Sequence, residues 1–309
     1  MRLADADIEV HRGVPYATPA GDPLRLALYR LSGGANGAAR RAAVVLVPGS
    51  RGRAPEHTEL ARYALDLAER GYVCAVPAYR GSDVAAFPAQ IRDLKAAIRW
   101  LRATAAAVGV DADRIGAFGH GTGAHLAVLA AVSADTPSLA PAADDFAGVG
   151  VDGDAAVRAS DALAAVVGVG GTYALEHQPE TDDLVALLGG DRESAAAAWE
   201  RASPSTYLGS GAALGDSGPA LGDSGAAGDS AATAVGAESG MEPPPTLLLH
   251  GEDDDAVPAM ASELFHDLLE EADVTAECVV AAEAGHDVHE TQRAFTLGWT
   301  EAFFDRHLR

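Results

Sequence analysis

Lysine is almost missing from this chain. Among 309 residues Lys95 is the only one, and arginine supplies the rest of the basic count. Basic residues number 22 against 45 acidic ones, a net charge of −23. So negative a field disfavours nucleic acid and anionic membranes as partners. Cysteine is scarce too. Cys74 and Cys278 are too few for a disulfide framework or a zinc site, and each sits in an apolar run that reads as a buried strand. No stretch approaches the roughly 18 to 20 apolar residues of a membrane span. The first residues, MRLADADIEV, lack the basic end and apolar run of a signal peptide, so the expected location is cytoplasmic. Aromatics are few, at 6%, whereas alanine and glycine abound.

What is present fits a globular chain. Apolar residues make up 48%, and 309 residues are long for one domain but within reach of a single large α/β unit. The acidic excess resembles the surface of proteins from salt-loving cells, where concentrated salt screens self-repulsion. The expected result is a midpoint of unfolding that rises with added salt. A protein equally stable without salt would contradict that reading.

Apolar, β-branched runs alternate with helical patterns from about residue 24 onward. The runs are Leu24–Leu31, Ala43–Val47, Tyr72–Val76, Arg114–Phe118, Leu163–Val169, Thr246–His250 and Val274–Val280. Short continuous apolar strands suit a sheet covered on both faces. Between them, Ile91, Leu94, Ile98 and Leu101 recur at helical spacing within Pro88–Ala107. Further helices are expected over Glu59–Arg70, Thr122–Val132, Met260–Glu271 and His289–His307. Strand then helix, repeated, predicts an α/β fold: one domain over 1–309 with a mostly parallel, twisted sheet of about eight strands flanked by helices. Residues 209–242 break the pattern. They are Gly, Ala, Ser and Asp, with ALGDSGP followed by ALGDSGA, and are expected to be a mobile inserted loop. The GDSGP inside them, Gly215–Pro219, matches the serine motif of trypsin-like proteases, but those are all-β and this chain is not.

No intact G-x-S-x-G occurs. Its surroundings do occur, in Gly119-His120-Gly121-Thr122-Gly123-Ala124-His125-Leu126-Ala127. A nucleophile elbow needs small residues two before and two after the nucleophile, because the turn is too sharp for side chains there. Gly119 and Gly123 meet that requirement around position 121. The register with Thr122 as nucleophile puts the bulky His120 in one of the two small positions.

With Val110–Ile115 leading in, this stretch resembles the GHSAGGHLA elbow of the α/β-hydrolase superfamily, esterase/lipase group, acetyl-esterase-like and prolyl-oligopeptidase-like members included. The serine is replaced by Gly121. Likeness runs from Ala43 to the C-terminus apart from the 209–242 loop, through Ala78-Tyr79-Arg80-Gly81-Ser82, Ala202-Ser203-Pro204 and Leu249–Pro258. The resemblance implies a triad acid in the H-G-x-x-D-x-x-V-P turn. Counting along it selects Asp254, with Asp253 and Asp255 as neighbours. It implies a histidine in Ala284-Gly285-His286-Asp287, so His286, with His289 expected on the surface of the next helical turn. It implies an oxyanion hole from the backbone N–H of Thr122 and one N–H from the loop Pro48-Gly49-Ser50-Arg51-Gly52, most plausibly that of Ser50. HGGG, common there in the group, is absent. Arg51 could instead meet an anionic ligand. No metal or organic cofactor is implied, and the implied partner is a small acyl substrate or ligand. A lid is best placed at residues 134–160.

Glycine has no hydroxyl, so no acyl-enzyme can form at position 121. Removing such a serine costs about a millionfold in turnover, or roughly 8 kcal/mol. Two functions remain open: a serine-hydrolase type acting on esters weakly, through water or Thr122, or a silent relative that binds an acyl ligand or a protein partner.

Overall fold

In the computed structural model, residues 7–33, 40–50, 58–209 and 242–309 are described. Arg51, the GDSGP segment and nearly all of the expected 209–242 loop lie outside the described residues.

The apolar runs become strands of one eight-stranded sheet. They are β1 (Ile8–Ala17), β2 (Leu24–Leu31), β3 (Arg41–Val47), β4 (Val73–Pro77), β5 (Val110–His120), β6 (Val166–Val169), β7 (Thr246–Gly251) and β8 (Ala276–Ala281). Their spatial order is β1-β2-β4-β3-β5-β6-β7-β8. The pairs from β4 to β8 are parallel, whereas β1 with β2 and β2 with β4 are antiparallel. The inner strands β3, β4, β6 and β7 are buried almost throughout, as a sheet covered on both faces requires.

Helices α1 (Ala61–Glu69), α2 (Ala89–Ala103), α3 (Ala105–Val108), α4 (Thr122–Val132), α5 (Gly153–Arg158), α6 (Asp182–Leu188), α7 (Ala196–Ala202), α8 (Met260–Glu271), α9 (Val288–Thr291) and α10 (Arg293–Leu308) flank the sheet. Apolar side chains of α2, α4 and α8 fill one face, including Ile91, Leu94, Ile98, Leu126 and Phe265. Those of α1 and α10 fill the other, with Tyr63, Leu67, Phe303 and Phe304. Helix α4 is buried from Gly123 to Val132, which explains why GAHLAVLAAV has no polar face.

Four expectations are corrected. The sheet begins before residue 24, because β1 is a strand. Its stretch IEVHRGVPYA is exposed in the middle and carries His11, Arg12 and Gly13, so no apolar alternation announces it. The Pro88–Ala107 pattern divides into α2 and α3, and the His289–His307 pattern into α9 and α10. Cys74 is buried as expected, but Cys278 is partly exposed, because β8 lies at the sheet edge and is half-buried along most of its length.

Candidate active site

Strand β5 ends at His120 and α4 begins at Thr122, so the chain reverses within one residue. Gly121 sits at that bend with φ 55° and ψ −120°. Positive φ is costly for a side chain and free for glycine. Gly121 N–H donates to the Val169 carbonyl at 2.9 Å, which pins the bend to the end of β6.

The glycines on either side are demanded by contact rather than by dihedral. A Cβ on Gly119 would lie 2.6 Å from Ala124 N, and one on Gly123 would lie 2.6 Å from the Pro48 carbonyl oxygen. Both neighbours are backbone and cannot move aside cheaply. Gly123→Ala is therefore expected to destabilise the fold by about 3 kcal/mol or more, the upper end for overpacking. A denaturant midpoint equal to that of the unaltered chain would refute this.

His286 arrives in the loop after β8, and its ring faces the bend. A Cβ built on Gly121 would stand 3.3 Å from His286 Nε2. On the ring's far side, Nδ1 is 2.9 Å from Asp254 Oδ2. Asp254 follows β7, and its Oδ1 accepts from the N–H groups of Ala256 at 2.9 Å and Val257 at 2.8 Å. Burial alone would raise the Asp254 pKa. Hydrogen bonds from His250, His286 and Val257 outweigh it and hold the carboxyl well below the usual range. It stays ionised throughout the neutral range. Asp253 and Asp255 point elsewhere: both are exposed, whereas Asp254 is buried.

His250 is a supporting residue to which the sequence motif alone assigns no task. Fully buried, its Nε2 lies 3.1 Å from Asp254 Oδ2 and 2.8 Å from the Val257 carbonyl. Two acceptors there mean that Nε2 carries the proton, and Nδ1 then accepts from the Ser262 hydroxyl at 2.7 Å. The signal was available in the spacing of His250 and Asp254, four residues apart across a tight turn.

His120 and Glu59 tie three loops together. His120 Nδ1 lies 3.2 Å from Glu59 Oε1, and its Nε2 lies 3.2 Å from the His286 carbonyl. Glu59 Oε1 also accepts the Gly49 N–H at 2.9 Å. The Gly49 N–H is thereby engaged, and Ser50 is the next residue along the same loop. Tyr79 braces that loop as well, donating to the Pro48 carbonyl at 2.7 Å. Thr122 opens α4, where a backbone N–H has no acceptor within the helix.

His289 is not on the surface. It is 2% exposed, with its ring 3.7 Å from that of His120 between centroids, and neither of its nitrogens has a protein partner among the described residues. Burial, with His120 and His286 close by, pushes its pKa down to about 3, so it is neutral. Glu59, His120 and His289 bring one possible metal-ligand atom each within 4.8 Å of one another. The His120 and His289 rings lie close and tilted, with 32° between their planes.

Over the bend opens a cleft of about 470 Å³, lined by Ser50, Ser82, Gly121, Thr122 and His286. Its outer wall is Gln178–Pro179, Thr181 and, from α6, Asp183, Leu184 and Leu187. Residues 134–160, the expected lid, do not line it. They pack elsewhere: α5 lies against α2, and Asp145 accepts from the Thr18 backbone beside β1.

The chain matches the BD-FAE family over residues 35–213, more than half its length. It belongs to that family. A second match, to the prolyl oligopeptidase family, covers residues 227–309 and so takes in Asp254 and His286. Among curated relatives, esterase LipQ of Mycobacterium tuberculosis is 28% identical over 84% of this chain. The chain spans about half of that relative, 52% of its length. Among solved structures, Thermogutta terrifontis esterase 2 with bound butyrate superposes with a TM-score of 0.68 at 22% identity, covering 98% of this chain and 94% of that one. A truncated carbohydrate esterase from gut microbiota gives 0.71 at 21%, covering 99% of each chain. The fold of this BD-FAE-family chain is that of an α/β-hydrolase.

Proposed function

We propose that the cleft is a carboxylesterase-type site that binds an ester or related acyl compound and turns it over very slowly or not at all. One observation carries this reading: the side-chain position of residue 121 falls 3.3 Å from a histidine nitrogen whose other nitrogen is held by a buried carboxylate. A serine there would carry its hydroxyl on a carbon that already stands beside the base that must take its proton.

The roles follow. Asp254 fixes His286 with the proton on Nδ1 and leaves Nε2 basic. The Thr122 N–H, at the start of α4, and that of Ser50 face the carbonyl oxygen as negative charge develops on it. In a serine enzyme Nε2 would take the hydroxyl proton while the oxygen attacked the carbonyl. Here Gly121 offers no hydroxyl, and two routes remain. His286 can activate a water for direct attack, with no covalent intermediate. Otherwise the cleft serves only to bind. Oxyanion donors and binding alone leave roughly 10³ to 10⁴ over the uncatalysed rate.

A fluorophosphonate probe tests the absence of a covalent nucleophile. No adduct is expected on the unaltered chain, by intact-mass measurement. An adduct on Thr122 would move the nucleophile to that residue and overturn the register.

A further inference from the structure

His125 lies one turn into α4 from Gly121 and lines the same cleft, as does Thr172 in the loop after β6. His125 is 2% exposed. Its Nδ1 is 2.8 Å from the Thr172 carbonyl oxygen. A carbonyl only accepts, so Nδ1 must carry the proton. Burial lowers the pKa of this imidazole, more than the Thr172 carbonyl raises it. The ring is therefore neutral, and Nε2 is a bare acceptor. That Nε2 is buried with no protein partner among the described residues, and the Thr172 hydroxyl oxygen is in the same condition. Buried polar atoms are paired as a rule, and an unpaired one is costly.

We infer that His125 and Thr172 form a subsite for a ligand hydroxyl, which donates to His125 Nε2 and accepts from the Thr172 hydroxyl. The inference rests on reading the cleft as an ester site and adds the chemical class of ester: one bearing a free hydroxyl near the scissile bond. An imidazole held as an acceptor selects a donor, and a plain alkyl group in its place leaves both protein atoms unpaired. A site built around a hydroxyl rejects the analogue lacking it far more strongly than an apolar pocket rejects a change of one methylene. The hydroxyl can belong to the acyl part or to the alcohol part of the ester.

Because Gly121 leaves the chain without a nucleophile, intact esters can be titrated against it. Two matched pairs separate the two sources: methyl 3-hydroxybutyrate against methyl butyrate, and 2-hydroxyethyl butyrate against propyl butyrate. Dissociation constants from ligand-observed NMR titration are expected to favour the hydroxylated member at least tenfold in one pair, and that pair shows which side carries the group. His125→Leu and, separately, Thr172→Val should each shrink the preference to under about threefold while the unfolding midpoint stays within a few degrees. Equal affinity within both pairs overturns the subsite, as does a preference that survives in both variants or no binding by any of the four esters. The ester-site reading has its own test in the hydrolysis of p-nitrophenyl esters by Gly121→Ser, so the two can fail separately.

Discussion

Gly121→Ser should raise kcat/KM for p-nitrophenyl acetate or butyrate at least a thousandfold over the unaltered chain, assayed in high salt. The expectation comes from position. A serine Cβ at 121 lands 3.3 Å from His286 Nε2, and Asp254 already holds Nδ1 at 2.9 Å. That contact is tight, so the His286 ring must give by a few tenths of an ångström to admit the serine. Loss of such a serine costs about 10⁶ in turnover. The forecast gain is smaller because the loop after β3 reads Pro48-Gly49-Ser50 rather than HGGG, and one oxyanion donor alone is worth about 10²–10³. The variant should also be less stable. Residue 121 sits at φ 55°, and a side chain there costs about 1–3 kcal/mol. A folded Gly121→Ser protein with unchanged activity would favour a purely binding role.

In that serine background, His286→Ala should return activity close to the level of the unaltered chain, since nucleophile and base act as a unit. Asp254→Asn should cost about 10⁴. The reason is visible in the hydrogen bonds. Asp254 Oδ2 faces His286 Nδ1 and His250 Nε2, both donors in the assigned tautomers. An asparagine amide turned toward them would set donor against donor, and the imidazole would flip its proton to Nε2, where it cannot act as a base. Its carbonyl oxygen could still accept from the N–H groups of Ala256 and Val257, so the turn itself should hold. Comparable rates for Asp254→Asn and its parent would remove Asp254 from the mechanism.

How far the sequence could carry this account varied with how local each signal was. The inner strands were legible because a strand buried on both faces must be continuously apolar, and β3 and β7 are. Helices α4 and α8 fell on the expected residues, Thr122–Val132 and Met260–Glu271. The bend was legible because Gly119 and Gly123 are imposed by backbone contacts within and beside the motif. Strand β1 was not, because its middle faces solvent and its only instruction comes from pairing with β2. His289 was misread because a helical register says which side of a helix a residue occupies, not what lies against that side. Here it is His120 and Tyr63. The cleft wall of 178–187 was missed for a similar reason. Gln178-Pro179-Glu180-Thr181-Asp182-Asp183 reads as a polar connection, and only the fold brings it over Gly121. His125 stands in the motif, yet its tautomer depends on a carbonyl 47 residues away.

The most direct test of the central claim, that His286 serves position 121, is acid-quenched mass spectrometry of Gly121→Ser during turnover of p-nitrophenyl butyrate. The expected result is a butyryl group that fragmentation places on residue 121, and no such adduct once His286 is also changed to alanine. An adduct on Thr122, or rapid hydrolysis with no acylated protein at all, would contradict it.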